Sequence, residues 1–271
     1  MPFVQVPGAR LYFETEGEAG APALLLVHQG VATLRMWDEQ VPAFAAGHFV
    51  IRYDARGFGA TEADDVAFSP AADIRALLDH LGVAAVTIIA NSQGGNFAFD
   101  FAVESPERVR GLMTIGSQCS GFPELSLAPD EKEQFDELWA LWGAADWPAL
   151  NRRMVEIWNL RTGDASTPLD PVFVERAYAL NAANLAHAGF QAQPTPVDPP
   201  AYERLGSLTM PVMVTVGEWD LTTEREHQRA LAELIPGAEG HVFPGAAHLP
   251  SVQHPAEFEA FALAWLERHG L

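Results

Sequence analysis

Ser92 lies in the run Val86-Thr87-Ile88-Ile89-Ala90-Asn91-Ser92-Gln93-Gly94-Gly95, between a β-branched apolar stretch and the helix-forming residues Asn96–Glu104. A sharp strand-to-helix turn that exposes a nucleophile needs small residues two before and two after it, because the backbone passes close to its neighbours. Ala90 and Gly94 meet that need. A serine hydroxyl is a weak nucleophile and requires a base within hydrogen-bond reach, itself oriented by a third group. The chain supplies both. Asp220 follows the apolar run Val212–Val216 in Gly217-Glu218-Trp219-Asp220. His248 follows His241-Val242-Phe243 in Pro244-Gly245-Ala246-Ala247-His248-Leu249-Pro250. The expected roles are nucleophile for Ser92, base for His248 and orienting acid for Asp220, with Glu218 as the competing acid. That constellation performs acyl transfer.

These residues must be brought together by the elements that precede them. The runs Ala23–Val27, Phe49–Ile51, Val86–Ile89, Leu112–Ile115, Val212–Val216 and His241–Phe243 read as strands. Most are apolar without alternation, which suits strands buried on both faces. Helical stretches such as Asp73–Leu81 and Glu224–Ile235 separate them, as parallel crossovers require. Phe3–Val6 and Leu11–Thr15 flank the turn signal Pro7-Gly8 and read as a leading antiparallel hairpin. The expected fold class is α/β, a mostly parallel eight-stranded sheet with helices on both faces. Open sheets of this kind build their sites beyond the strand carboxyl ends, where Ser92, Asp220 and His248 all fall.

Between Gly116 and Pro211 the alternation stops. Pro129 opens a helix carrying Phe135, Leu138, Trp139 and Trp142 on one stripe, Asp146 caps a second, and Asp170-Pro171 starts a third. This is a helical insertion between the sixth and seventh strands, returned to the sheet by the proline-rich linker Gln193–Pro200. The expected division is a core over residues 1–120 and 201–271, with a helical cap over 121–200.

The chain has 271 residues with 16 Lys+Arg against 36 Asp+Glu, a formal net charge of −20. That field repels phosphate backbones and anionic bilayers, so neither nucleic acid nor membrane is an expected partner. The one cysteine, Cys119, permits no internal disulfide and reads as a buried, inert thiol. Residues 1–20 lack the basic start and long apolar core of a secretory signal, and no run approaches the length of a membrane helix, so the cytoplasm is the expected compartment. His241 and His254 have no metal-ligand spacing with their neighbours, and no metal site is expected. A monomer or a homodimer is the expected state.

The sequence resembles the α/β-hydrolase superfamily over nearly its whole length. Besides the Ser, Asp, His order, the segments that carry the likeness are Leu25-Leu26-Val27-His28-Gln29-Gly30, Arg35-Met36-Trp37, Arg52-Tyr53-Asp54-Ala55-Arg56-Gly57-Phe58-Gly59 and the Gly245–Pro250 loop. They are similar to the serine esterase, enol-lactonase and haloperoxidase-like branch. The resemblance implies hydrolysis of a small carboxylic ester or lactone without a cofactor, and an oxyanion hole built from the backbone N–H groups of Gln93 and Gly30, with Val31 as the neighbouring candidate. It also implies that His28, Asp54 and Arg56 are structural. Two departures stand out: Ala90 where Gly is usual, and Gln29 inserted into the usual His-Gly pair. Val31, Trp139, Trp142 and Leu249 are the expected pocket residues, while the cluster with Trp147 and Trp158 also suits simple helix packing. The Asn91-Ser92 pair is shared with carbon–carbon bond hydrolases of the superfamily, but those commonly have Trp where Leu249 stands. Peptidase chemistry of the proline-iminopeptidase type, incidental perhydrolysis and a non-catalytic ligand receptor are the other readings.

Overall fold

In the computed structural model, which describes residues 2–163 and 168–271, the apolar runs form strands. They are β1 (Phe3–Val6), β2 (Ala9–Glu16), β3 (Ala23–Val27), β4 (Phe49–Tyr53), β5 (Glu62–Ala63), β6 (Val86–Asn91), β7 (Val109–Ile115), β8 (Val212–Gly217) and β9 (Glu239–Phe243). The sheet order is β1-β2-β4-β3-β6-β7-β8-β9, with β5 on the side of β2. β1, β2 and β4 pair antiparallel, whereas β4, β3 and β6 to β9 run parallel. The turn between β1 and β2 is made by Gly8 at φ 73°, which glycine adopts freely. All eight expected strands are present. β5 is an addition: two residues with no apolar pattern, paired to Ala9 and Arg10.

The helices are α1 (Val41–Phe44), α2 (Pro70–His80), α3 (Gln93–Glu104), α4 (Pro129–Gly143), α5 (Trp147–Trp158), α6 (Pro171–Ala182), α7 (Ala201–Arg204), α8 (Thr222–Leu234), α9 (Pro250–Gln253) and α10 (Pro255–His269). Their starts follow local chemistry. Ser69, Asp146 and Asp170 cap α2, α5 and α6 by accepting from the N–H groups of Ala72, Ala149 and Val172, and each is followed by proline in the first turn.

Side chains of a strand alternate between faces, so β3 feeds two cores. Leu25 and Val27 join Ile74 and Leu77 of α2, Phe99 and Phe101 of α3 and Leu231 of α8. Leu24 and Leu26 join Phe44 of α1 and Phe258 and Trp265 of α10 on the opposite face. Helices thus cover both sides of the sheet, and both faces exclude water from the strands.

The insertion between β7 and β8 carries α4, α5 and α6. Leu138, Leu150 and Ile157 pack on Leu221, the residue after Asp220. Buried Glu131 of α4 accepts from Thr222 N–H at 2.9 Å and pairs with Arg161 at 3.0 Å, fastening the insertion to the start of α8. The linker lies along the entry to α2, with Thr195 N–H donating to Phe68 O at 2.7 Å. No described helix is long and apolar enough to cross a membrane.

Candidate active site

β6 runs into α3 through Ser92, whose backbone sits at φ 53°, ψ −118°. A non-glycine residue held there stores on the order of 1–3 kcal/mol of strain. The surroundings hold it: Ser92 N–H donates to Ile115 O at 2.8 Å, Gly95 N–H donates to Ser92 O at 2.8 Å, and Asn91 Nδ2 donates to Ile115 O at 2.9 Å. A Cβ at Gly94 would approach His28 O to 2.6 Å, so this position admits only hydrogen. Ala90, the first departure from the usual pattern, is completely buried.

Asp220 and His248 are brought to the same edge by the loops after β8 and β9. His248 Nδ1–H donates to Asp220 Oδ2 at 2.8 Å, and Asp220 Oδ1 accepts from Leu221 N–H at 2.8 Å. Both side chains are buried. Glu218 instead accepts from Gly245 N–H at 2.9 Å on the outside of the turn, so it shapes the histidine loop and does not touch the ring. With Nδ1 protonated toward Asp220, His248 Nε2 carries the lone pair, and it has no partner among the described residues. Burial pushes the imidazole pKa down, but the Asp220 charge, its hydrogen bond and the Glu224 charge outweigh that and hold it above the ordinary histidine value. Asn91 Nδ2 also donates to His248 O at 3.3 Å, which ties the histidine loop to the Ser92 turn. Gly116, at φ 53°, lies against the pair: a Cβ there would stand 2.8 Å from Asp220 Oδ2 and from the His248 ring.

The loop after β3 is fixed just as firmly. His28 Nδ1–H donates to Gln29 O at 2.7 Å, and His28 Nε2 accepts from Ala55 N–H at 3.0 Å. Burial lowers the His28 pKa, which keeps the ring neutral as this pair of bonds requires. Because the peptide is planar and trans, turning the Gln29 carbonyl to His28 points the Gly30 N–H the opposite way. The Gln29 side chain, completely buried, donates from Nε2 to Asn159 Oδ1 at 3.0 Å. The second departure therefore links the loop to the end of α5.

A cavity of about 390 Å³ opens at Ser92, walled by Gly30, Val31, Gln93, Gly116, Trp158 and Glu224 among others. It shares Gly30, Phe58 and Met154 with an apolar chamber of about 160 Å³ that reaches Trp142, Trp147, Leu150 and Phe190. It also shares Gln93, Asn96 and Gln118 with a polar chamber of about 300 Å³. Val31 lines the Ser92 cavity and Trp142 the apolar chamber. Trp139 and Leu249 line neither. Trp139 is 63% exposed: one residue on from Leu138, it turns about 100° around α4, away from the α4–α5 contact. Leu249 is fully buried in the core around Trp265. Glu224, Asn96, Gln118, Met154 and Phe58 are lining residues that the sequence reading passed over.

Other residues of chemical type have structural employment. Asp54 accepts from Leu34 N–H and Ala60 N–H at 2.8 Å each. Arg56 makes a buried two-bond pair with Asp73 at 2.8 and 2.7 Å. His241 stacks on Phe261, and His254 meets Gly245 O at 3.1 Å. Cys119 is buried, and burial with the nearby Asp100 charge pushes its thiol up to about 12, so it is not a nucleophile at neutral pH. Among the described residues no cluster could hold a metal ion.

The Ser92 turn, the buried Asp220–His248 pair and the β3 loop meet at one sheet edge, and the sequence pattern of the alpha/beta hydrolase fold matches residues 22–255. The chain belongs to that family. It is 31% identical to rhodomycin D methylesterase DauP of Streptomyces sp. (strain C5), over 89% of this chain and 91% of that protein. It is 26% identical to 2-hydroxy-6-oxo-6-phenylhexa-2,4-dienoate hydrolase of Burkholderia cepacia, over 95% and 91%. Among solved structures, the enol-lactonase of Burkholderia xenovorans LB400 superposes with a TM-score of 0.74 at 20% identity, covering 98% of this chain and 100% of that one. That likeness is one of fold.

Proposed function

We propose that the protein is a serine hydrolase that cleaves a carboxylic ester or lactone through an acyl-enzyme. The observation that carries this reading is the buried Asp220–His248 pair with a free Nε2, at the edge where the strained turn presents Ser92. In the reaction Ser92 Oγ attacks the carbonyl carbon while His248 Nε2 takes its proton. Asp220 holds the ring and stabilises the imidazolium. The carbonyl oxygen becomes an oxyanion facing the N–H groups of Gln93 and Gly30. The C–O bond of the ester then breaks and His248 returns the proton to the leaving alkoxide. Water, activated by the same histidine, hydrolyses the acyl-Ser92 bond. The hydrogen bond between Ser92 Oγ and His248 Nε2 forms in the reacting complex.

The relatives divide between a methylesterase and carbon–carbon bond hydrolases whose named substrates are carboxylates. Charge favours the ester reading. Among the described residues, the one ionisable side chain lining the Ser92 cavity besides the reacting groups is Glu224, an acid, and no Lys or Arg lines it. An anionic substrate would meet repulsion there. The test is hydrolysis of p-nitrophenyl esters of graded acyl length by the wild type and by Ser92→Ala. Turnover that falls roughly 10⁴-fold or more in the variant is expected. Equal turnover in both would refute the reading.

A further inference from the structure

The end of α5 and the residues just after it hold three of the loops that build the site. Trp158 O accepts from His248 N–H at 3.3 Å. Asn159 Oδ1 accepts from Gln29 Nε2 at 3.0 Å, in the loop after β3. Arg161 Nε donates to Trp219 O at 3.2 Å, next to Asp220, and Arg161 is itself paired with buried Glu131 at 3.0 Å. The helix end is firm, since Asn159 N–H and Leu160 N–H both donate to Val155 O, at 2.8 and 3.1 Å. Trp158 also walls the Ser92 cavity. Gly30 lies against Gln93: a Cβ on it would stand 3.1 Å from Gln93 Oε1. Gln29 therefore adjoins the place where the N–H groups of Gly30 and Gln93 come together.

As a stabilising device the Gln29–Asn159 bond is poor. Both side chains are completely buried, and each has a second polar atom, Gln29 Oε1 and Asn159 Nδ2, with no protein partner among the described residues. One hydrogen bond adds little net stability, and a buried polar atom left over outweighs it, so two apolar side chains would join α5 to the loop at least as well. What an apolar contact lacks is direction. A hydrogen bond sets both distance and angle. We infer that Gln29 and Asn159 are positioning residues that aim the Gly30 N–H at the oxyanion, which makes the insertion part of the catalytic scaffold as well as a wall of the cavity. This rests on the hydrolase reading and deepens it. His28 holds the Gln29 carbonyl and Asn159 holds the Gln29 side chain, so the residue before Gly30 is fixed at both ends. A misplacement of about 1 Å in such a site lowers the rate on the order of 10²-fold.

The experiment measures kcat and KM for p-nitrophenyl butyrate, the melting temperature, and inhibition by trifluoromethyl hexyl ketone in the wild type, Gln29→Met, Asn159→Leu and the double variant. Ser92 Oγ adds to the carbonyl carbon of that ketone while its proton passes to His248, leaving an oxyanion where the ester's would form. Each single variant should lose about tenfold or more in kcat with KM changed less than about threefold, and should bind the ketone more weakly by a similar factor. The double variant leaves no stranded amide, so it should melt closer to the wild type than Asn159→Leu does, while its kcat stays as low as that of the single variants. A double variant that recovers kcat together with its melting temperature would reduce the pair to packing and overturn the proposal. So would a kcat within about twofold of the wild type in Gln29→Met, or a loss of kcat with ketone binding unchanged. Were Asn159→Leu not to fold, Gln29→Met and the double variant decide by the same kinetic readings. Each of these overturning results leaves the hydrolase reading standing, whereas no ester hydrolysis by the wild type would overturn both.

Discussion

The roles at Ser92 rest on protonation states that the geometry fixes. Asp220 accepts the hydrogen bond of His248 Nδ1–H and so holds the proton on Nδ1, which leaves Nε2 a base whenever the ring is neutral. Replacing Asp220 with Asn presents the wrong hydrogen-bond partner and should lower kcat about 10⁴-fold, whereas Glu218→Gln, which touches only the loop amide of Gly245, should retain most activity. A steady-state comparison of the two distinguishes them. The raised pKa of His248 sets the pH dependence. The neutral base accumulates only above a value higher than the ordinary ~6.5, so kcat/KM should fall on acidification through that shifted value. Glu224→Gln removes one of the charges that raises it, and the acidic limb should move to lower pH. An unmoved or upward-moved limb would contradict this. For stability the direction is set by the same shift. Protonated His248 favours the folded chain below its unfolded pKa, and that contribution is lost as pH rises through the folded value.

At the scale of elements, the site depends on close approaches between a turn and its neighbours. Gly94→Ala drives a methyl to 2.6 Å from His28 O, and Gly116→Ala drives one to 2.8 Å from the Asp220–His248 pair at a positive φ. Each should cost about 1–3 kcal/mol in a denaturant melt, and Gly116→Ala should also lower kcat by displacing His248. Gln29 and Asn159 join the β3 loop to α5, so Asn159→Leu strands a buried amide. It should destabilise by about 1–3 kcal/mol and lower kcat more than it changes KM. The strands, the hairpin, the Asp146 and Asp170 caps and the Ser92 turn were legible because each is decided by neighbours in the chain. The face that Trp139 presents was not, since Leu138 and Trp139 both fit an apolar stripe and only the packing of α5 on Leu221 selects between them. Likewise β5 is decided by its pairing with β2. Glu224 reads as an ordinary first-turn acid of α8, and the Gln29–Asn159 bond joins residues 130 apart. Nothing local marks either as part of the site.

Across the whole molecule, the sheet gathers loops from β3, β6, β8 and β9 at one edge, and the insertion supplies the remaining wall through Met154 and Trp158. The net charge of −20 is a second whole-molecule property. Self-repulsion at low ionic strength should relax with salt, so the melting temperature should rise between roughly 10 mM and 150 mM NaCl as the Debye length shrinks from about 30 to 8 Å. A melting temperature that falls over this range would show that attractive pairs such as Arg52 with Glu14 and Asp38 dominate instead. The central claim is that Ser92 is a nucleophile activated by His248. Its most direct test is reaction with a fluorophosphonate, followed by intact mass and peptide mapping. One adduct per chain, on Ser92, much slower in His248→Ala and absent in Ser92→Ala, is the predicted result. Adduct formation at another serine, or equal labelling of the wild type and His248→Ala, would contradict it.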